Sequence, residues 1–180
     1  MAFSKKTRQE AITKVQNEEM DLLIIGGGIT GAGLTLQAAA TGMKVAVLEM
    51  QDFSEGTSSR STKLVHGGIR YLKNFDVEVV SDTVSERAVV QSIAPHIPKP
   101  DPMLLPIYND EGKTTFDMFS VKIAMDLYDR LAGIDEGSPY ANYTISPEEV
   151  LRREPLIKKK GLQGAGVYLD YRNNDSRLVI

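Results

Sequence analysis

The sequence contains no cysteine. Disulfides, thiolate nucleophiles and cysteine-ligated metals are therefore excluded. The two histidines, His66 and His96, share no ligand spacing with Asp or Glu, so the sequence predicts no metal site. A reducing compartment is compatible with this composition.

Long apolar runs and an excess of basic residues are also absent. No run approaches the length of a membrane span, and the first residues are not followed by the apolar segment of a secretory signal. The net charge of -3 over 180 residues argues against nucleic-acid binding through bulk charge. We therefore expect a globular cytoplasmic protein with no membrane span and no nucleic-acid partner.

The stretch from Asp21 to Glu49 carries the strongest pattern. An apolar run, residues 22–25, ends in a G-x-G-x-x-G motif at Gly26, Gly28 and Gly31. A helix is predicted over 29–41, followed by a second buried strand over 45–48 that closes on Glu49. A strand, a glycine-rich turn, a helix and a strand with an acid about 20 positions later are typical of a dinucleotide-binding unit.

Each glycine of this motif has a physical role in such a unit. Gly26 permits the tight turn, Gly28 lets the backbone approach a pyrophosphate, and Gly31 with Gly33 lets the helix pack close to the sheet. Helix amides meet the phosphate charge, and Glu49 accepts hydrogen bonds from ribose hydroxyls. The alternative is a glycine-rich turn without a ligand, which leaves Glu49 unexplained.

Residues 50–72 are polar and hydroxyl-rich, with no period of 2 or 3.6. A long segment without periodicity is functional or disordered, and its apolar residues argue against a solvated linker. Its hydroxyls and backbone amides suit a diphosphate, and Gly67 with Gly68 lets the backbone lie flat against a planar ligand. Arg70 is suited to clamp a phosphate or carboxylate.

The remainder reads as alternating helices and strands. Helices are predicted over 75–93 and 116–131 and at a start on Ser146, and strands over 103–108 and 164–171. Asn174 resembles an N-cap of a helix that begins at Asp175 and stops within two turns. We therefore expect a fragment of a longer polypeptide.

Several motifs together resemble the FAD-dependent glycerol-3-phosphate dehydrogenase family. They are residues 25–33, Glu49, Asp52-Phe53, the segment 56–72, Ala94-Pro95-His96 and residues 174–178. Residues 75–80 and 100–106 look most like its bacterial oxidase branch, the α-glycerophosphate oxidases. The long motif at 56–72 is far more specific than the glycine fingerprint.

The resemblance implies a flavoprotein with FAD as its cofactor. It would oxidise sn-glycerol 3-phosphate to dihydroxyacetone phosphate by hydride transfer to the flavin, and O2 would be reduced to hydrogen peroxide. Arg70 and Tyr71 would contact the substrate, and the base would lie downstream of Ile180. The expected cofactor-binding residues are Gly26, Gly28, Gly31, Glu49, Thr57, Ser58, Ser59, Ser61, Thr62, Lys63, Leu64, His66, Gly67 and Gly68.

Three alternatives remain open at the level of sequence. They are a quinone-linked dehydrogenase of the same family, a non-catalytic dinucleotide-binding module, and an NAD-linked dehydrogenase. The fold class we expect is α/β: a Rossmann-like parallel FAD-binding sheet with the beginning of a mixed α+β substrate domain. The predicted division is an extension at 1–19, the FAD domain at 20–96, the substrate domain at 97–172, and a return to the FAD domain at 173–180. A homo-oligomer is compatible with this interpretation.

Overall fold

The computed structural model describes residues 4–109 and 117–180, and the chain folds as two compact units. The first unit ends at Lys63 and also takes in Asn174–Ile180. The second unit runs from Leu64 to Asn173. Each unit has its own sheet.

The first unit begins with an exposed helix and continues as a strand–helix–strand motif. Its elements are α1 (Arg8–Asn17), β1 (Leu22–Ile25), α2 (Ile29–Ala40), β2 (Val45–Leu48), a 3-10 helix (Thr57–Ser59) and the late helix α6 (Asp175–Val179). No residue of α1 is buried, which agrees with a surface extension. The side chain of Asn174 accepts a hydrogen bond from the Arg177 amide, so the predicted N-cap of α6 is confirmed.

The strand–helix–strand prediction is confirmed, with both strands at their predicted bounds and the helix one residue shorter than the predicted range 29–41. β1 and β2 pair in parallel, with Leu22 opposite Val45 and Ile25 opposite Leu48. The helix between them ends as expected, because Gly42 adopts a φ of +88°, in the left-handed region that glycine favours. A parallel pair joined by a helix brings the carboxyl ends of both strands to one edge of the sheet.

The second unit is an antiparallel sheet packed against helices. Its elements are β3 (Leu64–Val65), a 3-10 helix (Ile69–Asn74), α3 (Val77–Ile93), β4 (Lys99–Tyr108), α4 (Met118–Leu131), β5 (Tyr143–Ile145), α5 (Pro147–Arg153) and β6 (Leu162–Arg172). The long β6 lies between β4 on one side and the short β3 and β5 on the other. The predicted helices correspond to α3, α4 and α5, and the predicted strands to β4 and β6, both of which are longer than predicted. Strands β3 and β5 were not predicted, and the start predicted for α4 at Phe116 lies outside the described residues.

Three prolines lie within β4, which forms an edge of this sheet. Pro100, Pro102 and Pro106 fall on the same parity, so their missing N–H donors all face one side of the strand. The ladder to β6 continues through all three positions, which puts those donorless nitrogens on the open side. Proline there blocks pairing with a further strand.

The core of the second unit lies between its sheet and α3, α4 and α5. Its fully buried side chains include Val80, Val84, Met125, Tyr128 and Val150. Gly166 of β6 lets α4 approach, since a Cβ there would lie 2.5 Å from the sulfur of Met125. Among the described residues, no helix has both the length and the apolar character needed to cross a bilayer.

Candidate functional site

The glycine turn after β1 brings the start of α2 against the end of the strand. Gly26 has a φ of +112°, and its amide donates to the carbonyl of Leu48 at 2.8 Å. A Cβ added at Gly31 would lie 2.0 Å from the carbonyl oxygen of Gly26. Only glycine fits there, because both partners are backbone. By contrast, Gly33 is exposed and a Cβ there meets nothing within 4 Å, so the close-packing role expected of Gly33 is wrong within the described residues.

The N-terminus of α2 is contacted by a hydroxyl from far along the chain. The Ile29 amide donates to Ser58 Oγ at 2.9 Å. That hydroxyl also lies over Gly28, 3.0 Å from the position that a Cβ would occupy. The first amides of a helix lack intrahelical partners and attract oxygen atoms and anions. Gly28 and Ser58, both predicted cofactor-binding residues, therefore meet at a helix end whose amides donate hydrogen bonds to oxygen atoms.

Glu49 ends β2 beside the same turn. Its Oε2 accepts from the Gly27 amide at 2.7 Å, and its Oε1 accepts from the Gln51 amide at 2.8 Å. These backbone amides, that of Gln51 first, hold the pKa of the Glu49 carboxyl below its usual value. An ionised carboxylate has about four lone-pair sites. Glu49 can therefore keep both amides and still accept from ribose hydroxyls.

Gly27, Phe53 and Ser54, which are not among the predicted cofactor-binding residues, close this turn. The ring of Phe53 lies over Gly27, where a Cβ would be 2.6 Å from Phe53 Cδ1. The Ser54 amide donates to the Gly27 carbonyl at 2.8 Å, and Ser54 is buried with a φ of 62°. The loop after β2 thus folds back over the glycines. The triple glycine and the Asp52-Phe53 pair were the available signals, since G-x-G-x-x-G requires no glycine at position 27.

Residues 57–63 form a turn that is tied to α6. Ser61 Oγ donates to Asp175 Oδ2 at 2.5 Å, and Lys63 Nζ lies 3.1 Å from the same oxygen. Lys63 Nζ also donates to the Ser59 carbonyl. The side chains of Ser61 and Lys63 are thus engaged by a protein carboxylate, whereas Thr57 and Thr62 are exposed. Within this segment, the predicted cofactor-binding residue Ser58 contacts the glycine turn through its side chain.

The predicted residues from Leu64 onward belong to the second unit. Leu64 pairs with Arg172 in the sheet, and the side chain of His66 is exposed. Gly67 and Gly68 are buried, and Gly68 has a φ of +74°. The flat backbone segment expected at Gly67 and Gly68 therefore lies against the core of this unit.

Arg70 and Tyr71 form a pair at the start of the second 3-10 helix. Arg70 Nη2 donates to the Tyr71 hydroxyl at 3.0 Å, and the guanidinium carbon lies 4.9 Å from the centre of the ring. Arg70 is exposed and Tyr71 is half-buried. The stacked guanidinium keeps free N–H donors for an anion. Among the described residues, no three Asp, Glu or His side chains come together as metal ligands.

Comparisons with known proteins agree with this geometry. The chain is 96% identical over its full 180 residues to an alpha-glycerophosphate oxidase of Lactococcus lactis subsp. lactis and spans 30% of that protein. It is 69% identical to an alpha-glycerophosphate oxidase of Streptococcus pyogenes and spans 29% of it. A solved glycerol-3-phosphate dehydrogenase from Bacillus halodurans, complexed with FAD, has a TM-score of 0.66 and 36% identity over 99% of this chain and 26% of that one. The model of the FAD dependent oxidoreductase family matches residues 21–180. The chain thus spans under a third of the length of these relatives, and it belongs to the FAD-dependent oxidoreductase family.

Proposed function

We propose that the protein to which this chain belongs is a flavoprotein that oxidises sn-glycerol 3-phosphate to dihydroxyacetone phosphate and reduces O2 to hydrogen peroxide. The observation that carries the proposal is the 96% identity, over every residue of the chain, to an alpha-glycerophosphate oxidase. This identity covers the glycine turn, the hydroxyl-rich segment and the Arg70–Tyr71 pair alike.

The geometry of the first unit fits the ADP half of FAD. Gly26, Gly28 and Gly31 keep the backbone open at the N-terminus of α2, where amides favour a pyrophosphate. The ionised Glu49 has lone pairs left for ribose hydroxyls. Ser58 Oγ, already bound to the Ile29 amide, is suited to donate its proton to a phosphate oxygen.

We assign the other predicted cofactor contacts to two further parts of FAD. The backbone of Gly67 and Gly68, with Leu64 and His66, is assigned to the flavin end. The backbone amides and hydroxyls of residues 57–63 are assigned to the pyrophosphate and ribityl chain, although Ser61 and Lys63 must then share their side chains with Asp175. When bound, the cofactor supplies the acceptor for the C2 hydride of the substrate and the route by which O2 becomes hydrogen peroxide.

Arg70 and Tyr71 are assigned to the substrate. The guanidinium of Arg70 would hold the phosphate of sn-glycerol 3-phosphate, and its stacking on Tyr71 would limit its rotation. The base that takes the proton of the C2 hydroxyl is assigned to the remaining length of the protein, because this chain spans 30% of its relative.

A quinone-linked dehydrogenase is the second candidate, since the solved relative at 36% identity is named a glycerol-3-phosphate dehydrogenase. We further propose a cytoplasmic location, an assembly of identical copies, and a domain division at 20–96, 97–172 and 173–180 after an extension at 1–19.

The test is an anaerobic reduction of the full-length protein. Purified protein is mixed with sn-glycerol 3-phosphate while flavin absorbance is followed, and air is then admitted. We expect bleaching, then rapid recovery with about one peroxide per flavin reoxidised. Bleaching with slow recovery in air and fast recovery with a quinone analogue would favour the dehydrogenase. A protein without a flavin spectrum would refute the proposal and leave a nucleotide-binding module.

A further inference from the structure

A buried ion pair crosses the core of the second unit. Arg87 of α3 and Asp170 of β6 are 3% and 2% exposed, and Arg87 Nη1 lies 3.0 Å from Asp170 Oδ1. Arg87 Nη1 also donates to the hydroxyl of Tyr128 at 2.8 Å and to the carbonyl of Leu169 at 3.2 Å. Burial raises the pKa of the Asp170 carboxyl, and Arg87 opposes that shift. Arg87 thereby helps to keep Asp170 ionised.

This pair does more than stabilise the core, because its carboxylate reaches the glycine segment. The Gly67 amide donates to Asp170 Oδ1 at 3.0 Å. A Cβ at Gly67 would lie 2.1 Å from the Tyr128 hydroxyl and 2.5 Å from Val84 Cγ1. Gly67 therefore packs directly against the network of Arg87, Asp170 and Tyr128, and its amide is hydrogen-bonded to the Asp170 carboxylate. The network therefore holds the amide side of Gly67 through residues that are distant in the sequence.

The carbonyl side of Gly67 is held less strictly. Thr83 Oγ1 lies 2.8 Å from the Gly67 carbonyl, but it also lies 2.7 Å from the Val79 carbonyl. A hydroxyl has a single proton, so these acceptors compete for it. The charge-assisted bond from Gly67 to Asp170 is the stronger restraint, because bonds to ionised groups exceed neutral ones.

Burying the charged Arg87 costs desolvation free energy, which an apolar side chain would not require for packing alone. Its Nε has no hydrogen-bond partner within the described ranges. A buried ion pair is often replaceable by apolar residues of similar volume without loss of stability. The structure therefore suggests a role for Asp170 other than stability, and the bond to Gly67 is the contact that apolar packing could not supply.

We propose that Asp170, oriented by Arg87 and Tyr128, is a positioning residue that fixes the Gly67 peptide and so presents the His66–Gly68 backbone to the flavin end of the cofactor. This rests on the proposed function for the assignment of that backbone to the flavin. The presentation is built into the fold and exists before the cofactor binds. Preorganisation of this kind lowers the ordering cost of binding.

The first test needs no variant. Amide hydrogen exchange is measured on the full-length protein with FAD bound and after FAD removal, using the peptic peptide that contains Gly67. We expect slow exchange in both forms, because Asp170 and not the cofactor protects the Gly67 amide. Exchange that becomes as fast as in an unfolded peptide when FAD is removed, while the core stays protected, would overturn the proposal.

The second test compares two charge-neutral replacements of the pair. Arg87→Gln with Asp170→Asn keeps an oxygen acceptor for the Gly67 amide, whereas Arg87→Met with Asp170→Leu removes it. In the apolar double variant the Gly67 amide loses one buried hydrogen bond. We therefore expect its hydrogen-exchange rate and the FAD dissociation constant each to rise about tenfold to a hundredfold. The polar pair should bind FAD within about threefold of the parent. Asp101→Asn is the control, because Asp101 lies opposite Asp170 in the sheet but pairs with Arg172 at the surface.

Urea unfolding of the FAD-free proteins separates positioning from stability. The apolar pair should have the lower unfolding midpoint, because the buried Gly67 amide loses its acceptor. A positioning role predicts in addition that the FAD dissociation constants of the two pairs differ under conditions where both are fully folded; equal dissociation constants would refute it. If the apolar pair fails to fold, the exchange measurement on the parent protein decides. If the purified parent protein contained no flavin, the proposed function would be refuted. Hydrogen exchange of the Gly67 amide could still be measured in that protein, so the two failures can be told apart.

Discussion

Replacing Gly31 by alanine tests the closest backbone approach in the first unit. The added Cβ would lie 2.0 Å from the Gly26 carbonyl oxygen and 3.1 Å from its carbon. An unstrained contact needs about 3.5 Å, and neither atom belongs to a flexible side chain. The start of α2 must therefore move away from the end of β1. Gly33→Ala is the matched control, two residues further along the same helix, where the added Cβ meets nothing within 4 Å.

The two substitutions should change the free energy of unfolding in opposite directions. Overpacking of this kind costs about 1–3 kcal/mol, which makes Gly31→Ala destabilising. Alanine is favoured over glycine inside a helix by about 0.5–1 kcal/mol, so Gly33→Ala should be neutral or stabilising. The shift of α2 also carries its first amides and the Ser58 contact away from the position proposed for the pyrophosphate. Since 1.4 kcal/mol is about tenfold in a dissociation constant, we expect Gly31→Ala to weaken FAD binding about tenfold or more.

The assay uses full-length apoprotein titrated with FAD while flavin fluorescence is followed, together with urea unfolding of the same samples. We expect a raised dissociation constant and a lowered unfolding midpoint for Gly31→Ala, and neither change for Gly33→Ala. Parent-like binding and stability of Gly31→Ala would refute the reasoning from backbone contact. Equal damage from both substitutions would mean that a feature other than the contact with the Gly26 carbonyl governs the site.

Three further predictions concern other parts of the chain. In the full-length enzyme, Arg70→Ala should raise KM for sn-glycerol 3-phosphate about 10- to 100-fold with unchanged flavin content, because a charge-assisted contact is lost; unchanged kinetics would remove Arg70 from the substrate. Burial raises the pKa of Tyr168 to about 12 from 10.0, so the stability due to its neutral phenol is present below pH 10 and is lost as the pH rises towards about 12. Unfolding measured across that window should show a larger loss in the parent than in Tyr168→Phe, because the buried Tyr128, whose pKa is also raised by burial, contributes to the loss in both. Ser146→Ala should cost about 1 kcal/mol of unfolding free energy, because Ser146 Oγ accepts from the Glu149 amide at the N-cap of α5; an unchanged urea midpoint would contradict it.

Much of the fold follows from local signals in the sequence. β1 and β2 have the predicted bounds, and α2 and α5 begin where the glycine motif and the Ser146-Pro147 pair indicate. Apolar periodicity and capping act over a few residues, so they can be recognised without knowledge of the rest of the chain. The glycine turn with Glu49 was predictable for the same reason.

The segment from Met50 to Leu72 could not be predicted in this way, because its conformation depends on distant residues. Ser61 donates to Asp175 across 114 positions, and Gly67 donates to Asp170 across 103. The segment has no periodicity of its own and takes its shape from α6 in the first unit and from β6 in the second. The sequence identified the composition of this segment but not the partners of its side chains.

By itself the sequence determined the strand–glycine–helix–strand motif, its acid at Glu49 and the alternation of elements behind it, since each depends on neighbours within about two turns or one strand. Tertiary structure alone decided which glycines are obligatory. Gly31 meets the Gly26 carbonyl and Gly67 meets Tyr128, while Gly33 meets no described residue. The physical reason is that packing requires a glycine only where another part of the molecule occupies the space of its missing Cβ. A sequence motif does not show which distant atoms occupy that space.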